Sequence, residues 1–187
     1  MDILDPLPLT KSGNKYLLVI VDCFTKWVEA FPLRNMRARI VAETFVNQFI
    51  SRYGVPSEVH TDQGRNFESR LFAEMMGLLR IKKTRTTALH LQSDGQIERQ
   101  HQTITNYLAK INKIQRDWDK WIPLFLLAYK SSKHETTGVT PAEMYCARNL
   151  KLPLDLLQGS PPGLWEESPK SEGDFIKRLR EKLEGIR

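Results

Sequence analysis

A chain of 187 residues, 41% hydrophobic and 27% charged, suits one globular domain of roughly 150 residues with an appendage and excludes a disordered or fibrous protein. The longest apolar runs, residues 16–21 and 122–129, fall far short of the roughly 20 residues a membrane span needs, and the second contains Pro123. A net charge of +6 leans toward a polyanionic partner, but charge of this size is common among proteins that never meet nucleic acid.

Asp2 and Asp5 stand where a signal peptide would need a basic and then an apolar stretch. Cys23 and Cys146 form no CxxC pair and have no paired histidine spacing, so both are expected to be reduced thiols in apolar surroundings of an intracellular protein.

In chain order, residues 2–8 open a first strand, and Lys11-Ser-Gly-Asn14 reads as a turn. Tyr16-Leu-Leu-Val-Ile-Val21 reads as a strand buried on both faces, and a third strand follows over residues 27–33. Ala38, Val41, Ala42, Phe45, Val46, Phe49 and Ile50 recur at three- and four-residue spacing, predicting one amphipathic helix that ends near Arg52, before Gly54-Val-Pro56. A short strand over residues 58–61 runs into Asp62-Gln-Gly64. Leu71, Met75, Leu78 and Leu79 predict a helix with that stripe inward, and residues 81–84 a fifth strand.

Helices are expected over residues 95–114 and 118–131. A shorter one follows Thr140-Pro141, where Thr suits an N-cap and Pro the first turn. Trp118, Trp121, Phe125 and Tyr129 are expected in the core or a subunit interface. Residues 1–157 would form the core domain, 158–170 a linker rich in Gly, Ser and Pro, and 171–187 a charged helical segment.

Three carboxylates stand where chemistry could use them. Asp62 follows a strand end, where open sheets gather functional groups, although an aspartate at a turn also caps its own backbone. Glu98 falls in the first turn of a helix announced by Ser93 and Gln96, where the dipole alone favours an acid. Ile97, Ile104, Leu108 and Ile111 form the apolar stripe of that helix and turn Glu98 toward the preceding loop. Asp2, taken alone, says little.

Taken together, Asp2-Ile-Leu-Asp-Pro-Leu-Pro8, Gly13-Asn-Lys-Tyr-Leu-Leu-Val-Ile-Val-Asp22, Phe24-Thr-Lys-Trp27, Arg52-Tyr-Gly-Val-Pro56, Thr61-Asp-Gln-Gly-Arg-Asn-Phe67, Ser93-Asp-Gly-Gln-Ile-Glu-Arg99, Thr137-Gly-Val-Thr-Pro141 and Leu152-Pro-Leu-Asp155 resemble the catalytic core of Gypsy-type LTR retrotransposon integrases, relatives of retroviral integrases. The 35 residues between Asp62 and Glu98 match the spacing of that family's Asp, Asp, Glu signature. The resemblance implies an α/β, RNase H-like fold with a five-stranded mixed sheet flanked by helices, its first and fourth strands neighbours.

It also implies that Asp2, Asp62 and Glu98 bind two Mg²⁺ or Mn²⁺ ions for DNA 3′-end processing and strand transfer. DNA would be the partner, as element ends and target. Assembly would be as a homodimer or higher multimer, without a membrane partner, in the nucleus. His90 and Gln92 match the family's loop, and Gln102 shares the helix face of Glu98. Lys82, Lys83, Arg85 and Arg99 are candidate phosphate contacts, about as readily read as a solvated charged edge.

The chain departs from the family's pattern at Asp5, which stands for Gly, at Ala88 and Leu91, which stand for prolines, and at His101-Gln102, which stands for Asn-Arg. The first strand has one residue before Asp2. Weak integration by these residues alone is therefore the expectation, with a silent DNA- or protein-binding derivative as the alternative. A general RNase H-type nuclease is a third reading, against which the spacing argues.

Overall fold

The computed structural model describes residues 1–4, 6–85 and 117–152. The helix expected over 95–114, the linker and the charged segment 171–187 lie outside them. The chain divides into two compact units, Met1–Val21 with Val28–Ile122, and Asp22–Trp27 with Pro123–Arg187.

In the first unit β1 (Asp2–Leu4), β2 (Tyr16–Val21) and β3 (Val28–Leu33) form an antiparallel sheet. The register sets Asp2 opposite Val19, and Tyr16 opposite Leu33. Leu17, Leu18 and Val19 are all fully buried, which is why the central strand reads as an unbroken apolar run rather than an alternation.

β4 (Glu58–Thr61) and β5 (Lys82–Arg85) pair in parallel, His60 opposite Thr84. One hydrogen bond runs between the two ladders, from the Met1 nitrogen to the carbonyl of His60 at 2.8 Å. The start of the chain therefore lies beside β4, and the described strands form one antiparallel three-stranded ladder and one parallel two-stranded ladder.

The single amphipathic helix expected after β3 is α1 (Ala38–Thr44), a π-helical stretch over Phe45–Ile50 and a last turn, α2 (Ser51–Tyr53). Phe45 stacks on Phe49 at 5.6 Å and Phe49 meets Tyr53 at a tilt, 5.1 Å between ring centroids, and Tyr53 donates its hydroxyl proton to the buried Glu29 of β3. Gly54 stops the helix at φ 82°, a conformation an L side chain rarely adopts.

β4 and β5 are joined through α3 (Arg70–Leu78), whose N-cap Ser69 accepts from the Phe72 amide at 3.2 Å. The predicted inward stripe holds for Met75 and Leu79, both half-buried against the core, but not for Leu71 and Leu78. Phe72 and Met76 are buried, whereas Leu71 is exposed and Leu78 is 86% exposed. The inward face is centred on Phe72 and Met76, one residue round from the centre of the predicted stripe. With Val41, Ala42 and Phe45 of the first helix, these side chains cover Leu18, Ile20, Leu33, Val59 and Ile81 in one core. Burial of each large side chain contributes about 1.5–3 kcal/mol.

α4 (Trp118–Ser131) has the predicted bounds, with Pro123 inside it. Trp118 is fully buried and Phe125 nearly so, but Trp121 is 42% exposed. In the second unit Trp27 stacks on Tyr145 at 4.8 Å and lies 4.2 Å from the Lys130 ammonium, an arrangement of cation and ring face that is attractive in itself. α5 (Pro141–Cys146) begins as predicted, the Thr140 hydroxyl accepting from the Glu143 amide at 3.0 Å. Cys23 is exposed, not in the apolar surroundings expected, and Cys146 is half-buried. Among the described residues, no helix is long and apolar enough to cross a membrane.

Candidate active site

Two of the three predicted acids fall within the described residues, Asp2 at the start of β1 and Asp62 just after β4. Asp2 leads β1, is half-buried, and its Oδ1 accepts from the Ile3 amide at 2.7 Å. Asp62 follows Thr61, the last residue of β4. The bond from Met1 to His60 lies one residue from the first acid and two from the second, so both stand at the C-terminal end of β4.

Asp62 is held in a built turn. Thr61, buried beneath it, donates its hydroxyl to the Asp62 carbonyl at 2.9 Å. Asp62 Oδ1 accepts from the Gly64 amide at 3.1 Å, and the Gly64 carbonyl accepts from the Phe67 and Glu68 amides at 2.9 and 3.1 Å. Phe67, 1% exposed, closes the turn against Phe72, edge to face at 5.4 Å.

Glycine at 64 leaves room for the Asp62 carboxylate: a Cβ there would lie 3.0 Å from Asp62 Oδ1 and 3.3 Å from Oδ2, and the carboxylate would have to give way slightly. The backbone-capping role of Asp62 and a metal-holding role are compatible, because the cap uses only Oδ1. Oδ2 accepts no hydrogen bond among the described residues, and Asp62 is exposed.

Glu98 lies outside the described residues, as do His90, Gln92, Arg99 and Gln102. Among the described residues, no group of three His, Cys, Asp or Glu side chains is close enough to hold a metal ion. The donors present are hard carboxylate oxygens, the chemistry that Mg²⁺ and Mn²⁺ prefer.

The cations of β5 are not free. Lys82 bonds Glu58 at 2.9 Å, and Lys83 and Arg85 both bond Glu68, at 2.5 and 2.7 Å. Hydrogen bonds from Lys82 and Thr84 hold the Glu58 carboxyl below the usual carboxylate range, and one from Lys83 does the same for Glu68. A phosphate approaching these cations would compete with an internal carboxylate.

Arg65, which the sequence reading passed over, is exposed, three residues after Asp62, and pairs with no carboxylate among the described residues. Its position in the turn after the acid was the available signal.

A family model described as an integrase core domain matches residues 1–90. The Retrovirus-related Pol polyprotein from transposon 412 of Drosophila melanogaster is 30% identical over 154 residues, which are 82% of this chain and 12% of that protein. The Pol polyprotein of Radiation murine leukemia virus (strain Kaplan) is 36% identical over 154 residues, 81% of this chain and 24% of that protein. The chain thus spans a small part of the curated relatives it matches.

Two solved structures are similar in fold. The catalytic core domain of BIV integrase superposes with a TM-score of 0.60 at 26% identity, covering 71% of this chain and 86% of that one. The HTLV-2 integrase catalytic core domain in complex with magnesium gives 0.56 at 25% identity, covering 68% and 82%. By these matches the chain is related to the integrase cores of retroviruses and LTR retrotransposons and has their RNase H-like fold.

Proposed function

We propose that this chain is the catalytic core of a retroelement integrase, a polynucleotidyl transferase that trims the 3′ end of element DNA and joins it to target DNA. The observation that carries the reading is the placement of Asp2, at the start of β1, and of Asp62, just after β4, within one and two residues of the hydrogen bond from Met1 to His60. The match to integrase cores supports it.

Asp2, Asp62 and Glu98 would hold Mg²⁺ or Mn²⁺, two ions in this reading, which when bound activate the attacking oxygen and stabilise the leaving one. Gly64 keeps one oxygen of Asp62 engaged and the other presented to solvent. Arg65 stands beside that acid as a phosphate contact. His90, Gln92, Arg99 and Gln102 remain proposed DNA contacts, while Lys82, Lys83 and Arg85 contribute less than their charge suggests because each is already paired.

The test is a joining and nicking assay on a labelled long-terminal-repeat end with Mn²⁺ and with Mg²⁺. Wild-type product that is absent in Asp62→Asn and in Glu98→Gln is expected. Product that persists in both variants overturns the assignment of these acids.

A second reading, a binding-only derivative, is favoured by the engagement of Asp2 Oδ1 with the Ile3 amide. It predicts retarded mobility of the same DNA without cleavage in either metal. The DNA partner, homomultimeric assembly and nuclear location belong to the proposal as a whole.

A further inference from the structure

β1 is only three residues long, and eleven residues, 5–15, separate it from β2, far more than the two to five of an ordinary hairpin loop. Left to itself such a loop would give β1 little fixed position, since ordering each residue costs about 1–2 kcal/mol of backbone entropy. Part of the order is internal: the Leu7 amide donates to the Lys15 carbonyl at 2.9 Å, and the Thr10 amide to the Asn14 carbonyl at 2.9 Å.

The rest comes from the start of α4. The indole N–H of Trp118 donates to the Pro8 carbonyl at 2.7 Å. Asp119 Oδ2 accepts from the Thr10 hydroxyl at 3.0 Å and from the Asn14 amide group at 2.8 Å. The arrangement is costly. Oδ1 of Asp119 is buried without a hydrogen-bond partner, and such an atom costs about 1–3 kcal/mol. A carboxylate kept at that expense is an anchor and not a solvated surface acid. Desolvation raises the Asp119 carboxyl, but hydrogen bonds from Asn14, Thr10, Ser12 and the Lys120 backbone together hold it below the usual range.

We infer that Trp118 and Asp119 are positioning residues for Asp2, fastening the loop that follows β1 to the start of α4. This rests on the reading of Asp2 as a metal-holding acid. Neither residue touches DNA or metal in this assignment.

The test pairs hydrogen exchange with a Mn²⁺ titration of nicking, on the full chain, for Asp119→Ala, Asp119→Asn and Trp118→Phe. In Asp119→Ala the β1 amides of Ile3 and Leu4 should exchange on the order of 10-fold faster relative to those shared by β2 and β3, as loss of one charged hydrogen bond implies, and the Mn²⁺ midpoint should rise. Asp119→Asn, which retains an oxygen to accept from Thr10 and Asn14, should recover part of both. Trp118→Phe should shift both in the same direction by less.

Amides of all three strands accelerating equally, or unchanged β1 exchange in Asp119→Ala, would overturn the inference. Should wild-type protein show Asp119-dependent β1 protection but no Mn²⁺-dependent nicking, the proposed function fails and the fastening is structural alone.

Discussion

Asp62 stands in a turn whose supports come from the residues immediately around it, Thr61, Gly64 and Phe67. Asp2 stands on a three-residue strand whose loop is held from α4 by partners 105 to 110 residues away in sequence. The turn is a local structure, closed by one aromatic ring and one close backbone approach, and needs little of the chain to form. The strand depends on loop closure over most of the described residues, which is entropically more demanding and more easily loosened. One proposed site is therefore assembled from a stiff half and a half that must be fastened.

The largest expected effect that would break this contrast is at Phe67. Phe67→Ala should lower unfolding free energy by about 3–5 kcal/mol, the range for an aromatic side chain removed from a core, read as a fall in the urea midpoint. A loss below about 1 kcal/mol would mean that the ring does not close the Asp62 turn.

Gly64→Ala should be milder for the fold and sharper for the site. The neighbour in the way is the end of a side chain, 3.0 Å from the added Cβ, so stability should stay within about 1 kcal/mol of wild type. The Asp62 carboxylate must then rotate, and the Mn²⁺ midpoint of nicking should rise. A midpoint that stays in place would show that the close approach does not set that carboxylate.

The smallest effect concerns the ties of Lys83 and Arg85 to Glu68, next to Phe67. The hydrogen bond from Lys83 lowers the Glu68 carboxyl below its usual value, so the stability it contributes is present above the unfolded value, ~4.3, and is lost as pH falls through the lowered folded one. The stability difference between wild type and Glu68→Gln, measured by urea unfolding, should shrink as pH falls from about 6 to about 3. A difference independent of pH would remove the ion pair from the turn's supports.

Most element positions were legible in the sequence because they rest on local pattern. The buried run of β2, the Gly54 stop and the Thr140-Pro141 start each carry their cause within a few residues. The inward face of α3 was legible only in part: Met75 and Leu79 pack on the core as expected, but Phe72 and Met76 lie at its centre and Leu71 and Leu78 face outward, a rotation that only the approach of the sheet decides. The ion pairs that occupy Lys82, Lys83 and Arg85 join residues 15 to 24 apart, beyond any helical or hairpin spacing, so paired cations and free ones look alike in the sequence. Of the candidate site, Asp62 was legible from its own strand and turn. Asp2 was legible only through the family's motif, since nothing near it in sequence shows what holds it.

The π-helical stretch at Phe45–Ile50 carries a consequence for how this fold can change over generations. A π bulge amounts to one surplus residue wound into a helix. The wider winding takes up that residue, so the turns before and after it keep a common angular phase. Loss of a single codon inside the stretch would leave a regular helix with Tyr53 still turned toward Glu29 and Gly54 still at its stop. This helix can thus shorten by one residue without moving its last turn, a freedom that a helix of regular winding lacks.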